Sequence, residues 1–333
     1  MKARSEPGRK RSHCFSFAVF GALLVLACTA GTVWAAWGAT TGNSNNELKA
    51  APDWVAPTAS RSVIQKAEGG TPGYVRQGGG YRILAEVSDS GNPASGVASV
   101  TALSGFTPNT ALVPGGFSAG GLSYNQRSAQ ATLASPLSAG TRAYSLSLGD
   151  TAGNTRSQTG FSVIVDNTAP VPTDTQTTNR TGGTLGRAEP GDLVTYSFGE
   201  LIDPYSLVGT WDGTGTTNVV VRINNNVAAF GGNDTLVVYD AANSTPLPLG
   251  TVSLARNDYV TVNSSFGAAG TASTMAVTGT SFQITLGTLT GTAQTVGSNS
   301  RLVWSPSAGA TDRAGNPSST ASVTESGTND RNF

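Results

Sequence analysis

The sequence predicts an all-β protein: two antiparallel β-sandwich domains in tandem, preceded by a signal or anchor segment. Three observations lead there. The pentapeptide D-x-A-G-N occurs twice, as Asp150-Thr-Ala-Gly-Asn154 and Asp312-Arg-Ala-Gly-Asn316, each time between runs rich in Ser, Thr, Leu and Val. A Gly/Asn turn between β-type residues reads as a hairpin. The same hairpin twice reads as two domains that close with the same last pair of strands. Composition agrees, because Gly fills 42 of 333 positions and charged residues only 12%, with no long amphipathic helical pattern.

Residues 1–37 read as a signal peptide or membrane anchor. Lys2, Arg4, Arg9, Lys10 and Arg11 precede an apolar run from Phe15 to Trp37, interrupted only by small residues. A basic flank, an apolar stretch and small residues near its end are the parts of a secretory signal. A run of about 23 residues is also long enough to span a bilayer if retained. A third reading makes Val25-Leu-Ala-Cys28 a lipobox with Cys28 acylated. Against it, cleavage there leaves the apolar stretch Thr32-Val-Trp-Ala-Ala-Trp37 on the mature chain.

Removing the leader leaves 15 basic and 19 acidic side chains, a net of −4. That balance offers no basic stripe to nucleic acid or anionic lipid, so contact with a membrane is expected only through the N-terminal segment. Cys14, Cys28 and His13 are the only cysteines and the only histidine, all in or before the apolar run. The mature chain is therefore expected to hold no disulfide, no His base and neither preferred zinc ligand, and to be stabilised by core burial.

Residues 38–57, rich in Asn, Thr, Ala and Pro, read as a polar linker. Residues 58–166 form the first expected domain, with strands near 62–65, 81–87, 97–103, 129–133, 143–148 and 160–165. In Tyr144-Ser-Leu-Ser-Leu148 the alternation puts Tyr144, Leu146 and Leu148 on one face. Residues 167–186, rich in Thr and Gly with Pro170 and Pro172, read as a second, protease-accessible linker. Residues 187–325 form the second domain, with strands near 192–198, 219–223, 235–239, 275–277, 281–286 and 301–304. The polar residues 326–333 read as a disordered tail.

Family resemblances enter at particular motifs. Gly31-Thr-Val-Trp-Ala-Ala-Trp37, Gly42-Asn43 and Leu48-Lys-Ala-Ala-Pro-Asp-Trp54 resemble the signal region of camelysin and biofilm-fibre-type proteins. Leu48 and Ala51 stand where that family usually has Phe and Gly. The resemblance covers residues 21–54 and implies export with removal of the leader near Ala35 or Ala36 by an ER-type signal peptidase. Ser95-Gly-Val-Ala-Ser-Val100, the Asp150 turn and Val165-Asp-Asn-Thr-Ala-Pro170 resemble bacterial Ig-like repeats of surface adhesins. Val194-Thr-Tyr-Ser-Phe-Gly-Glu-Leu-Ile-Asp-Pro204, with the Asp312 turn, is similar to Ig-like domains of S-layer type, Gly199 replacing the usual Ser. These resemblances imply two Ig-like sandwiches and say little about activity.

Candidate chemistry is sparse. In each D-x-A-G-N turn, Asp150 with Asn154, or Asp312 with Asn316, is expected to cap its own backbone while Gly153 or Gly315 takes a positive φ. Asp150, Asp203 and Asp312 are weak calcium candidates, since a calcium site needs six to eight oxygens and each motif supplies about two. Glu200 and Asp203, taken to lie near Glu189 and Asp192, form either a carboxylate pair of the kind glycosidases use or a solvated corner, and the corner reading is favoured. Nucleophilic catalysis has no base beyond Lys49 and Lys66, both assigned in or near the linker. A Lys–Asn isopeptide has no Lys in the second domain. Trp211, Tyr205 and Tyr239 are candidates for a sugar-stacking patch, although Trp211 and Trp304 read better as core anchors. No L-P-x-T-G signal follows Asp312, which argues against sortase anchoring.

The expectation is thus a non-enzymatic exported surface or matrix protein, without cofactor, that acts by display, adhesion or assembly. Other surface proteins or glycans are its expected partners. The alternatives are a glycan- or protein-binding module using loops of the second domain, and a membrane- or lipid-anchored surface protein.

Overall fold

Short runs of Val, Ile, Thr and Tyr separated by Gly turns leave backbone pairing as the only economical way to satisfy N–H and C=O groups away from water. The computed structural model accordingly is all-β and describes residues 53–333, plus the backbone of a strand pair, β1 (Gly38–Thr40) and β2 (Glu47–Lys49). The leader 1–37, with His13, Cys14 and Cys28, and residues 41–46 and 50–52 lie outside the described residues.

The first body contains β3 (Thr58–Lys66), β4 (Tyr74–Val75), β5 (Gly80–Ser88), β6 (Val97–Ser104), β7 (Thr110–Ala119), β8 (Leu122–Ser128), β9 (Ala131–Thr132), β10 (Gly140–Asp150) and β11 (Thr155–Val165). They pair in the order β3-β5-β8-β7-β6-β10-β11-β4, with β9 on β5, antiparallel except for the two-residue parallel pairing of β4 with β11. The Gln158 side chain closes the seam between first and last long strands: its Oε1 accepts from Ala59 N–H at 2.9 Å and its Nε2 donates to Ala59 C=O at 2.5 Å. Tyr144, Leu146 and Leu148 all face the core with Ile83, Val100 and Val163, as period-two alternation requires.

The second body contains β12 (Pro172–Thr178), β13 (Leu193–Phe198), β14 (Thr216–Val227), β15 (Asn233–Asp240), β16 (Pro246–Ser253), β17 (Ser264–Phe266), β18 (Ser273–Thr278), β19 (Ser281–Thr285), β20 (Leu289–Thr290), β21 (Val303–Ser305) and β22 (Val323–Thr324), with one α-helical turn, α1 (Pro204–Leu207), and one 3-10 turn (Ala228–Phe230). Its main order is β12-β13-β19-β18-β14-β15-β16-β21-β22. Trp304 anchors the core. Its ring meets Tyr196 at 5.1 Å and Phe198 at 5.2 Å edge-on, and its Nε1 donates to Leu249 C=O at 2.6 Å. Each such aromatic pair adds roughly 0.5–1.5 kcal/mol beyond burial.

Three expectations need correction. Residues 167–186 are not a free linker, because β12 pairs along β13 from Pro172 to Thr178. Only Pro172 and Thr175 of that strand are buried, so it has no apolar alternation to read. Residues 326–333 are not a disordered tail. Asp330 bridges Ser300, and Phe333 buries its ring 5.9 Å from Tyr259 while its C=O accepts from Gly186 N–H at 2.7 Å. Finally, the Asp312 turn does not join two long strands. Only isolated bridges, Thr311 with Pro317 and Ile202 with Asp312, flank it, since Pro317 has no N–H to extend a ladder.

Candidate functional site

The two D-x-A-G-N turns are near-identical in detail. Asn154 N–H donates to Asp150 Oδ1 at 2.8 Å and Asn154 Nδ2 to Asp150 Oδ2 at 2.7 Å; Asn316 repeats both distances on Asp312. Gly153 and Gly315 sit at φ of +93° and +90°, a region open to glycine and strained for other residues.

Each turn also grips the chain that leads into its own body. Asn154 Nδ2 donates to Asp53 C=O at 3.1 Å, and Asn316 Nδ2 donates to Asp166 C=O at 2.9 Å. The gripped residues open a second repeat, Asp53-Trp-Val-Ala-Pro57 and Asp166-Asn-Thr-Ala-Pro170. A third completes the set: Asp89-Ser-Gly-Asn-Pro93 after β5 and Glu200-Leu-Ile-Asp-Pro204 after β13. Three acids thus meet in each body, Asp53, Asp89 and Asp150 in the first and Asp166, Glu200 and Asp312 in the second, with ligand oxygens within 4.8 Å of one another.

The two clusters differ electrostatically. Backbone N–H groups of Val55 and Ser95 hold the Asp53 carboxyl below its usual range. Burial, reinforced by repulsion from Asp312 and Asp166, pushes Glu200 up, and burial likewise raises Asp312. Such a cluster favours a proton or a hard cation, and its three carboxylates supply part of the six to eight oxygens calcium takes.

Asp203, the remaining calcium candidate, is occupied differently. It is not part of a solvated corner: its side chain is 1% exposed and accepts from Lys66 Nζ at 2.6 Å, Lys66 being 6% exposed. Lys66 Nζ also donates to Asp312 C=O at 3.1 Å, so one ammonium at the end of β3 joins both bodies. Thr71 N–H and Thr71 Oγ1 donate to the two Asp203 oxygens at 3.1 and 3.2 Å, and Tyr205 N–H adds a fourth donor at 3.3 Å. Gly70 lies so close that a Cβ there would stand 2.1 Å from Asp203 Oδ2. Lys66 is therefore no linker residue. Glu189 and Asp192 are not its neighbours either, because they sit at the opposite end of β13 from Glu200 and Asp203.

Beside the ion pair, a cleft of about 420 Å³ between the bodies is lined by Lys66, Arg76, Tyr205, Ser206, Thr311 and Gly315. Of the three aromatic candidates only Tyr205, 37% exposed, faces it; Trp211 is buried, and the Tyr239 ring lies 3.8 Å below the Arg222 guanidinium. Lys66 and the Gly69-Gly70-Thr71 loop were missed as functional, and the pairing of Lys66 with Asp203 spans 137 residues with no local signal. Among the described residues no helix is long and apolar enough to cross a membrane. The chain matches no protein-family model and no curated protein.

Proposed function

We propose that the protein is a non-enzymatic exported surface or matrix protein in which two Ig-like sandwiches act as a stiff spacer for display, adhesion or assembly. One observation carries the reading, the buried Lys66–Asp203 pair with its Thr71 and Asp312 partners. Separate binding modules on a string need no such latch. A buried pair tolerates one geometry, because a misplaced approach of the two bodies leaves one charge away from water without its partner. The leader motifs support export and processing by an ER-type signal peptidase; other surface proteins or glycans are the partners. Fractionating producing cells into medium, wall, membrane and polymer pools tests this reading, and a purely cytosolic chain with an intact Met1 overturns it.

The cleft favours a second reading, recognition of a glycan or peptide between the bodies. Tyr205 offers a ring face there and Arg76 a guanidinium, the usual pairing of stacking surface and polar donor in a ligand site. Glycan-array binding that disappears in Tyr205→Ala supports it; binding that persists in that variant excludes this cleft.

A further inference from the structure

The junction loop has a twin. Lys66-Ala-Glu-Gly-Gly-Thr-Pro-Gly73 and Asn179-Arg-Thr-Gly-Gly-Thr-Leu-Gly186 share the G-G-T-x-G pattern and follow β3 and β12, the first long strand of each body. In the first body Thr71 N–H and Oγ1 hold both oxygens of Asp203 from the next body. In the second body Thr184 N–H and Oγ1 hold both oxygens of Glu189, its own residue, at 2.8 and 3.3 Å. The space over the second glycine is filled alike: Asp203 Oδ2 would lie 2.1 Å from a Cβ on Gly70, and Asn179 Oδ1 2.0 Å from one on Gly183. Asn179 Oδ1 is buried there without a hydrogen-bond donor. The second loop thus holds a carboxylate with the same Thr donors and is closed from within, although Gly70 sits at φ +86° and Gly183 lies outside the left-handed region.

The opposite end of the molecule carries the counterpart of the Asp203–Pro204 turn in sequence. Within the second body, Asp203 is held by the first body's loop, and Pro204 beside it is buried. Their counterparts in the first body, Asn92 and Pro93, are exposed among the described residues, beside the Asp53, Asp89 and Asp150 cluster. The partners have changed together. Where the internal junction pairs Lys66 with Asp203, the two free ends carry Asn179 and Asn92, and an amide at Asn92 can donate to the unpartnered Asn179 oxygen. Charge complements the fit, since Arg180 and Arg187 flank Glu189 at 3.9 Å and Arg331 packs beside Gly186, facing an acidic end on the next copy.

We propose that the Asn179–Gly186 end of one chain docks on the Asp89–Pro93 end of a second copy, repeating the internal junction head to tail, with Glu189 as a stopper that the incoming copy displaces. This contact is heterologous, so it propagates as a filament rather than closing as a dimer. It supplies a mechanism for the assembly named above, and can fail in solution while surface localisation stands.

The test uses the full chain with Cys14→Ser and Cys28→Ser, so that introduced thiols are alone. Chains carrying Ser90→Cys, beside Asp89, are mixed with chains carrying Thr181→Cys, in the second loop, and oxidised. The expected result is a Ser90–Thr181 cross-linked pair several-fold above either like-with-like product. Glu189→Gln should raise its yield several-fold, and Arg180→Glu with Arg187→Glu should reduce it to the like-with-like level. Equal amounts of all three products overturn the proposal, as does a mixed yield that Glu189→Gln leaves unchanged.

Discussion

Replacing Lys66 by Met keeps the apolar stem but leaves the Asp203 carboxylate, 1% exposed, without its cation. Truncating one partner of a buried pair costs about 3–5 kcal/mol. Here the lower end applies, because Thr71 N–H, Thr71 Oγ1 and Tyr205 N–H still donate to the stranded charge. Lys66→Met should therefore lose about 3 kcal/mol in urea unfolding. Trp211 and Trp304, the two buried tryptophans among the described residues, both lie in the second body, while Trp54 is already exposed, so the fluorescence change of a chain starting at residue 38 follows the body that contains Asp203. The double variant Lys66→Met with Asp203→Leu removes both charges and should recover most of the loss, since a buried pair often equals an apolar pair of similar volume. A loss under about 1 kcal/mol in Lys66→Met would mean that the pair behaves as a surface salt bridge, and the latch argument would fail.

Glu325 is held about 7 by burial, against the usual 4.5, although Leu302 N–H donates to it at 2.9 Å and the Asn332 amide, turned with Nδ2 inward, reaches its oxygens at 3.1 and 3.2 Å. A raised carboxyl is protonated more readily when folded, so the contribution of Glu325 to stability is fully present below about 4.5 and is lost as pH rises through about 7. Glu325→Gln should flatten that slope and raise the neutral melting temperature; a lower melting temperature at pH 7 would show an ionised, well-held carboxylate. Glu200→Gln should stabilise at neutral pH in excess chelator, because Glu200 is raised by burial and by repulsion from Asp312 and Asp166; calorimetry showing a loss would refute the crowding of charge. Gly70→Ala should cost about 2 kcal/mol or more, combining φ +86° with a collision against Asp203, whereas Gly73→Ala, at φ +89° with open space, should cost about 1. Equal losses by urea titration would mean that Asp203 does not seat against Gly70.

What was readable in the sequence tracks how far apart the interacting residues lie. The alternation at Tyr144, Leu146 and Leu148 and the Asp150 turn are local, and the structure buries the three side chains on one face. The hairpin of β7 and β8 was missed because its turn, Gly120-Gly121, joins strands whose polar and glycine residues, such as Pro114-Gly-Gly116, blur the period of two. β12 escaped for the same reason, its Thr-rich face giving backbone pairing without an apolar signal. Acidic residues carried the opposite difficulty. Asp203, Glu189 and Glu200 look alike in composition, yet one meets a Lys 137 positions earlier, one caps its own loop and one sits among carboxylates.

The repeats were partly visible all along, since D-x-x-A-P, G-G-T-x-G and the acid-x-x-Asn/Asp-Pro turn each occur once per body in the same order. Their meaning depends on strand direction. β3 and β12 each run from the acid cluster at one end of a body to the glycine loop at the other, about 20–30 Å away at strand rise. The first body's loop therefore reaches the second body's acids and no others. Exchanging Lys66 for Asn179 and Asp203 for Asn92 within the repeated motifs changes the charge pairing at the ends. A buried ion pair adds little over an apolar contact in stability but much in register, since a misplaced approach strands two charges. The pair at the internal junction fixes which loop meets which turn, and the neutral amides at the free ends leave those surfaces able to meet without that penalty.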